Sequence, residues 1–239
     1  MYINMKKLKT FIFGENIDLC IPTEDFAKNS NWFQLINSKK NNKYLDHGIY
    51  PNTPEDQLEF LKNSKISGRI VLIIMNKKNN FIGVINLSNI NNINKSADIA
   101  LVLNQDTKIG HVSKNYLSAL EAISLMTTHA FENIDLCRIN AGQSIGLLKW
   151  QNLMELAGYK IEGINKKKFK KNNIFFDTMT ISCLKNDYEI LKKNRGKLWD
   201  SNKNMLKRIK KLPKKTAYAN LSKALKNLDK LYYKKIFKL

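Results

Sequence analysis

The chain has 239 residues, of which 43% are hydrophobic and 10% aromatic. It is therefore too long for a disulfide-stapled miniprotein and too apolar to be disordered throughout. Lysine and arginine number 41 against 20 acidic residues, which gives a formal net charge of +21 and favours either a polyanionic partner or a generally basic composition. The lysines are spread along the whole chain and there are only four arginines, so the compositional interpretation is favoured for the first part of the chain.

No apolar run reaches the ~18–20 residues that a membrane-spanning helix needs, and we expect a cytoplasmic protein. The three cysteines, Cys20, Cys137 and Cys183, include no CxxC pair. All three are expected to be buried free thiols in a reducing compartment.

The first half of the chain predicts a strand at 16–21, mixed helical structure at 26–50 and a helix from Thr53 to about Lys62. Thr53 and Pro54 suit the cap and the first turn of that helix. Three strands follow at 69–76, 81–90 and 98–103, and Lys77–Asn80 forms a short hairpin connection between the first two.

The second half predicts helices at 116–131 and 147–156 and strands at 136–141, 159–164 and 174–184. A basic loop at 166–173 is expected to separate the last two strands. Helices around a mostly meandering antiparallel sheet indicate a mixed α/β (α+β) fold.

The character of the chain changes near residue 194. Apolar residues spaced three and four apart from Tyr218 to Tyr232 predict an amphipathic helix, and lysines occupy its other face. The sequence therefore predicts a domain over residues 1–193 and a basic helical appendage over residues 194–239.

Common catalytic and phosphate-binding motifs are absent from the sequence, and no cysteine or histidine spacing suits zinc. No metal site is predicted. His47 and His111 fall in loops, where a functional role stays open for both.

Several sequence pieces, in their order, resemble the GNAT acetyltransferases of the RimJ/RimL branch. The resemblance covers about residues 13–188. The pieces are Phe81–Leu87, Ala97–Leu103, Glu121–Ala122, Leu136–Gly142, Ala157–Gly163 and Asp177.

The resemblance implies an acetyl-CoA-dependent N-acetyltransferase in which the strands at 98–103 and 136–141 splay apart at a bulge near Leu101 to Leu103. The pantetheine arm would lie in the gap, and the pyrophosphate would lie at the start of the next helix. The implied cofactor-binding residues are Leu101, Val102, Leu103, Lys108, Ile109, Gly110, His111, Val112, Ser113 and Leu147.

An amine must lose a proton before it attacks the thioester, commonly to a carboxylate. Asp98, Asp177 and His47 are the expected catalytic residues. Asp46, Asn86 and Asn89 are the expected substrate-binding residues. A pocket with Asp46, Asp98 and Asp177 would suit a cationic amine of a small molecule, such as an amino sugar, or of a peptide.

The expected pyrophosphate turn contains only one glycine, Gly110, where the family usually has several. Glycines allow the backbone to approach phosphate closely. The alternative is therefore a degenerate binding module whose basic tail docks on nucleic acid or an anionic membrane. A homodimer is left open, as is packing of the tail against its own domain.

Overall fold

The computed structural model describes residues 7–45, 50–104, 115–213 and 217–237, without the side chains of Asn115, Asp229 and Tyr233. The described chain folds into one sheet of eight strands with helices on both faces. The strands are β1 (Thr10–Phe13), β2 (Ile17–Cys20), β3 (Ile70–Asn76), β4 (Phe81–Asn91), β5 (Ser96–Leu103), β6 (Arg138–Ser144), β7 (Lys160–Lys171) and β8 (Ile174–Leu184). The α-helices are α1 (Glu24–Asn29), α2 (Trp32–Asn37), α3 (Pro54–Ile66), α4 (Asn115–Glu132), α5 (Leu148–Glu155), α6 (Lys185–Arg195), α7 (Asn202–Lys210) and α8 (Ala217–Ile236).

The strands are ordered β1-β2-β3-β4-β5-β6-β8-β7 across the sheet. All neighbouring strands run antiparallel except β5 and β6, which are parallel. The predicted fold class, a mixed and mostly antiparallel sheet flanked by helices, is confirmed.

The helix α3 shows how local sequence fixes an element. The Thr53 hydroxyl accepts the Asp56 backbone N–H at 3.1 Å, and the Asp56 carboxylate accepts the Thr53 backbone N–H at 2.8 Å. This reciprocal capping box, with Pro54 in the first turn, satisfies N–H groups that have no partner inside the helix. The predicted start of the helix is confirmed, and the helix extends four residues beyond the predicted end.

The two faces of the sheet bury separate apolar clusters. The larger cluster packs α4, including Leu120 and Ile123, against one face. The smaller one packs α1 to α3, including Phe26 and Leu61, against the other. Because both faces are covered, β3 has five consecutive buried residues, the pattern of a central strand.

The predicted basic loop at 166–173 is wrong. β7 continues to Lys171, and only Asn172 and Asn173 separate it from β8. Both asparagines have positive φ, 48° and 62°, as a tight hairpin turn requires. The lysines of β7 occupy an edge strand, where charged side chains discourage pairing with other sheets.

The residues after position 193 share the main core. Leu198, Trp199 and Met205 are buried in the cluster around α4. The Glu15 carboxylate accepts the Trp199 indole N–H at 3.0 Å and the Asn202 backbone N–H at 2.8 Å. The division of the chain at residue 193 stays a prediction, and a packed segment follows that position.

No helix in the described part of the chain is long and apolar enough to cross a bilayer. Within the same residues, no group of three or more histidine, cysteine, aspartate or glutamate side chains is placed to hold a metal ion.

The three cysteines are free thiols, as predicted. Cys20 and Cys183 are buried, but Cys137 is exposed, so the prediction that all three are buried is wrong.

Candidate active site

The two parallel strands of the sheet, β5 and β6, pair over only three positions. Ser96, Ala97 and Asp98 pair with Arg138, Ile139 and Asn140. Beyond these pairs β5 follows β4 to Leu103, while β6 follows β8 to Ser144. The pairing of β5 with β4 keeps one register from Asp98 to Leu103, so the bulge expected near residues 101–103 is absent. The strands therefore diverge into a wedge whose inner edges carry backbone N–H and C=O groups that this strand pair leaves unpaired.

A polar network fixes the point where the wedge begins. Across the last paired position, the Asn140 amide donates to the Asp98 carboxylate at 3.1 Å, and Asn89 donates to its other oxygen at 2.7 Å. The side chain of Arg138 donates to Asn140 and forms an ion pair with Glu162.

Glu162 is the far end of this network. Hydrogen bonds from Arg138 and from the Ser182 hydroxyl, the latter at 2.6 Å, lower the pKa of its carboxyl. The network thus links β4, β5, β6, β7 and β8 and holds Asp98 in one orientation.

A cavity of about 460 Å³ occupies the wedge and the space under α2 and α3, a volume typical of small-molecule sites. The wedge end is largely apolar, with Leu101, Val102, Leu147, Trp150 and Met154. Gln143 also lines it, and its side-chain nitrogen is buried without a hydrogen-bond partner. A buried donor of this kind is suited to a polar ligand atom.

The other end of the cavity lies under α2 and α3. Trp32, Tyr44 and Phe60 supply aromatic surface, and Arg69 supplies a guanidinium group. The Tyr44 ring lies against Gly146, which follows the end of β6 at the open end of the wedge, and a Cβ there would come within 2.3 Å of a ring carbon. This glycine therefore permits the ring to close one wall of the cavity.

The predicted cofactor-binding residues divide into three groups. Leu101, Val102 and Leu147 line the cavity. Leu103 ends β5, pairs with Gly83 and packs against the main core. Lys108, Ile109, Gly110, His111, Val112 and Ser113 lie outside the described residues.

The structure does not bring all the predicted catalytic and substrate-binding residues to the cavity. Asn86 lines the cavity, whereas Asn89 binds the Asp98 carboxylate. Asp98 is opposite Ser88, a lining residue. Asp177 accepts the Lys167 backbone N–H at 2.8 Å in the β7–β8 hairpin and does not line the cavity.

Asp46 and His47 lie outside the described residues. No carboxylate is found among the described residues that line the cavity. The roles assigned to these predicted residues stay predictions.

Sequence reasoning does not single out Arg69, Tyr44 or Gln143. The signal available for Arg69 is its position directly before a buried strand in a chain with only four arginines. Tyr44 and Gln143 carry no comparable signal, because their part in the cavity depends on how distant segments pack.

No protein-family model matches this sequence, and no curated protein matches it at a significant level. Solved structures do match. RimL, a ribosomal-protein α-N-acetyltransferase in complex with coenzyme A, is 16% identical with a TM-score of 0.63, over 74% of this chain and 98% of that chain.

A GNAT-family acetyltransferase from Bacillus anthracis is 19% identical with a TM-score of 0.58, over 75% of this chain and 98% of its own. The spermidine N-acetyltransferase of Vibrio cholerae, in complex with CoA and spermine, is 19% identical with a TM-score of 0.61. That match spans 73% of this chain and 98% of that chain.

The chain has the GNAT acetyltransferase fold. The sequence resemblance to this group is therefore confirmed at the level of the fold. The match to RimL agrees with the predicted RimJ/RimL branch. It does not single that branch out, because the spermidine N-acetyltransferase matches with a similar TM-score. Within the GNAT fold, the wedge between β5 and β6 lies where the resemblance implies the pantetheine arm.

Proposed function

We propose that this chain is an acetyl-CoA-dependent N-acetyltransferase that acts on a primary amine of a small molecule or a peptide. The observation that carries the proposal is the separation of β5 and β6 after Asp98 and Asn140, which opens directly into the cavity. Named structural neighbours acetylate spermidine and a ribosomal protein, so the acceptor class is proposed here only as an amine.

The wedge fits the pantetheine arm of acetyl-CoA. The arm is an extended chain with two amides, and the unpaired strand edges offer it backbone partners as a neighbouring strand would. Leu101, Leu147 and Trp150 would cover its apolar parts, and the unpartnered Gln143 nitrogen would donate to one of its oxygens. Acetyl-CoA supplies an acetyl group activated as a thioester.

The chain's own groups would perform three tasks in the transfer. The cavity under α2 and α3 would hold the amine, whose nitrogen bonds to the acetyl carbon. The carbon–sulfur bond then breaks, and the CoA thiolate leaves and takes a proton from solvent. A backbone N–H on the free edge of β5 near Leu101 would stabilise the developing oxyanion. Asp98, oriented by Asn89 and Asn140, lies opposite the lining residue Ser88 and would take the proton of the amine through one water.

Blocking the wedge tests the proposal. Gly142 lines the cavity, and a Cβ at this position has no neighbour closer than 3.9 Å, so Gly142→Phe would place a ring in the gap with little backbone strain. We expect calorimetric titration with acetyl-CoA to show binding to the wild type and at least a tenfold weaker affinity for Gly142→Phe.

Gly163→Phe is the matched control, because a Cβ there meets no atom within 4 Å and the residue lies outside the cavity lining. It should bind acetyl-CoA as the wild type does. Equal binding by all three proteins, or no binding by the folded wild type, contradicts the proposed function.

A second candidate function concerns α8. Its residues Leu228, Leu231, Tyr232 and Ile236 are more than half exposed, while the helix carries five lysines and one aspartate. An amphipathic helix with a basic face is suited to the surface of an anionic membrane, where apolar residues enter the interface and lysines contact headgroups. We propose an anionic lipid surface as the occupant of this helix face.

Sedimentation with vesicles tests the second candidate. The wild type should bind vesicles that contain phosphatidylglycerol and not vesicles of phosphatidylcholine alone. Replacing Leu228 and Leu231 by serine should weaken binding at least tenfold, because it removes apolar contact and no charge. Equal binding of that variant, or preferential binding to RNA at physiological salt, contradicts the membrane assignment.

A further inference from the structure

The guanidinium group of Arg69 has no hydrogen-bond or ion-pair partner among the described residues. Its Nε is buried without a hydrogen bond, and Arg69 takes part in none of the ion pairs of the described residues. Its one described contact is with the Phe60 ring, whose centroid lies 5.5 Å away. Arg69 as a whole is part-buried, and a cation–π contact leaves its buried N–H donor without an acceptor.

Arg69 lines the cavity under α2 and α3, beside the aromatic residues Trp32, Tyr44 and Phe60 and the amides of Asn52 and Gln57. Among the described residues, strand register places Asp98 nearest to Arg69 as a possible counterion. Its two carboxylate oxygens already accept hydrogen bonds from Asn89 and Asn140. The positive charge thus faces a space that holds aromatic and amide groups.

The position of Arg69 separates it from the expected phosphate end of the cofactor. Ile70, its neighbour, pairs with Leu87, which pairs with Ile99 near the start of β5. The expected pyrophosphate position follows the end of β5 at Leu103, four residues further on, or about 13 Å at the rise of a strand. Two strands also separate Arg69 from the wedge, so its charge belongs to the acceptor side of the cavity.

We infer that the acceptor amine also carries an anionic group, a carboxylate or a phosphate, which pairs with Arg69; this inference rests on the proposed acetyl transfer. Guanidinium groups bind such oxygens through two parallel hydrogen bonds. The aromatic residues would cover the body of the acceptor, while its amine points to the wedge. A polyamine, which carries only positive charge, would meet Arg69 as a like charge.

Anion binding is the first test, because it does not depend on turnover. Thermal unfolding is followed with inorganic phosphate and with acetate for the wild type, Arg69→Gln and Lys65→Gln. Lys65 is exposed on α3, so its replacement removes the same charge outside the cavity. We expect the anions to stabilise the wild type and Lys65→Gln more than Arg69→Gln, and equal stabilisation of all three overturns the inference.

Turnover of matched acceptors is the second test. The pairs are glucosamine 6-phosphate with glucosamine, and glycyl-aspartate with glycyl-asparagine, which separate phosphate from carboxylate. For at least one pair, kcat/KM should be at least tenfold higher for the anionic member with the wild type and nearly equal for both members with Arg69→Gln. Arg69→Lys should recover part of the preference, because it keeps the charge without the planar fork.

The outcomes distinguish this inference from the proposed function. Acetylation of both members at equal rates, or an unchanged preference in Arg69→Gln, overturns the anionic acceptor and leaves acetyl transfer intact. Failure of the folded wild type to bind acetyl-CoA overturns the proposed function. If neither pair is acetylated, the anion measurement alone decides whether Arg69 is an anion site.

Discussion

The carboxylate of Glu121, fully buried in α4, accepts the backbone N–H of Asn16 at 3.1 Å and its side-chain amide at 2.8 Å. It also accepts the backbone N–H of Glu15. Burial raises the pKa of the Glu121 carboxyl, and the hydrogen bonds from Asn16 and Glu15 counteract part of that rise. The turn between β1 and β2 is thereby fixed to the central helix.

Gly14 makes this turn possible, and Gly14→Ala should destabilise the protein. A Cβ at this position would lie 2.4 Å from the Ile17 carbonyl oxygen and 2.5 Å from the Glu121 carboxylate, so backbone and helix would have to move. We expect a loss of about 2–4 kcal/mol in the free energy of unfolding, measured in urea. Gly163→Ala, whose Cβ meets nothing within 4 Å, should change it by less than about 0.5 kcal/mol, and equal effects would contradict the expected clash.

Asp200 and Arg208 form a pair that makes stability depend on pH. Both Arg208 NH groups donate to the Asp200 carboxylate at 2.7 Å, and these bonds lower the pKa of Asp200 to about 2. Because the folded pKa lies below the unfolded value of about 3.9, the stabilisation is complete above pH 4 and is lost as the pH falls toward 2. We estimate it at about 1–2 kcal/mol after solvent screening.

The comparison of Arg208→Gln with the wild type in urea measures this contribution. The difference in unfolding free energy should be largest at pH 7 and should shrink between pH 4 and pH 2. Lys207→Gln removes the same charge from the neighbouring, exposed position and should show no such dependence. A difference that is constant with pH would exclude the carboxylate as its source.

Asp98→Asn should slow acetyl transfer without unfolding the protein. If Asp98 accepts the proton of the amine, kcat/KM near pH 7 should fall by about 10²–10⁴ and should recover as the pH rises toward the pKa of the free amine. Asp177→Asn tests the other predicted catalytic carboxylate, which accepts a backbone hydrogen bond within the β7–β8 hairpin. We expect it to have the smaller effect.

Asp135→Asn is the control for that experiment, since Asp135 is an exposed residue that pairs with Lys185 on the surface. It should leave the pH profile of the wild type unchanged. If kcat/KM of Asp98→Asn is lower than that of the wild type by the same factor at every pH, Asp98 is not the base.

Two truncations test the boundary predicted at residue 193. A chain that ends at Pro213 loses α8, much of whose apolar face is exposed, and its Tm should change by only a few degrees. A chain that ends at Lys193 also loses Leu198, Trp199 and Met205 from the core. At about 1.5–3 kcal/mol for each buried side chain, that loss approaches the whole stability of a typical domain, and no cooperative unfolding is expected. Cooperative unfolding of the shorter chain at the wild-type Tm would support the boundary.

Much of the fold can be predicted because its central elements have strong local patterns. β3, β4 and α4 are long, apolar and bounded by polar residues, and α3 begins with a capping box. β1 has only four residues, which is too short for periodicity to identify. β7 is not recognised beyond residue 164, because an edge strand rich in lysine has the composition of a loop.

The site could be predicted only in part. The resemblance places the wedge at Leu101 and Leu147, both of which line the cavity. The network that fixes the wedge depends on strand register, since Asn140 and Asp98 are 42 residues apart in the chain. Arg69 becomes a candidate binding residue only once the structure shows that its Nε is buried without a hydrogen-bond partner.

The two bonds accepted by Glu15 also determine when this protein can complete its fold during synthesis. Its carboxylate accepts the backbone N–H of Asn202, a residue 187 positions later. At a translation speed of ~5–20 residues per second, that residue is added roughly 10 to 40 s after Glu15. The N-terminal hairpin must therefore remain incompletely anchored on the ribosome until the segment that contains Asn202 has been made.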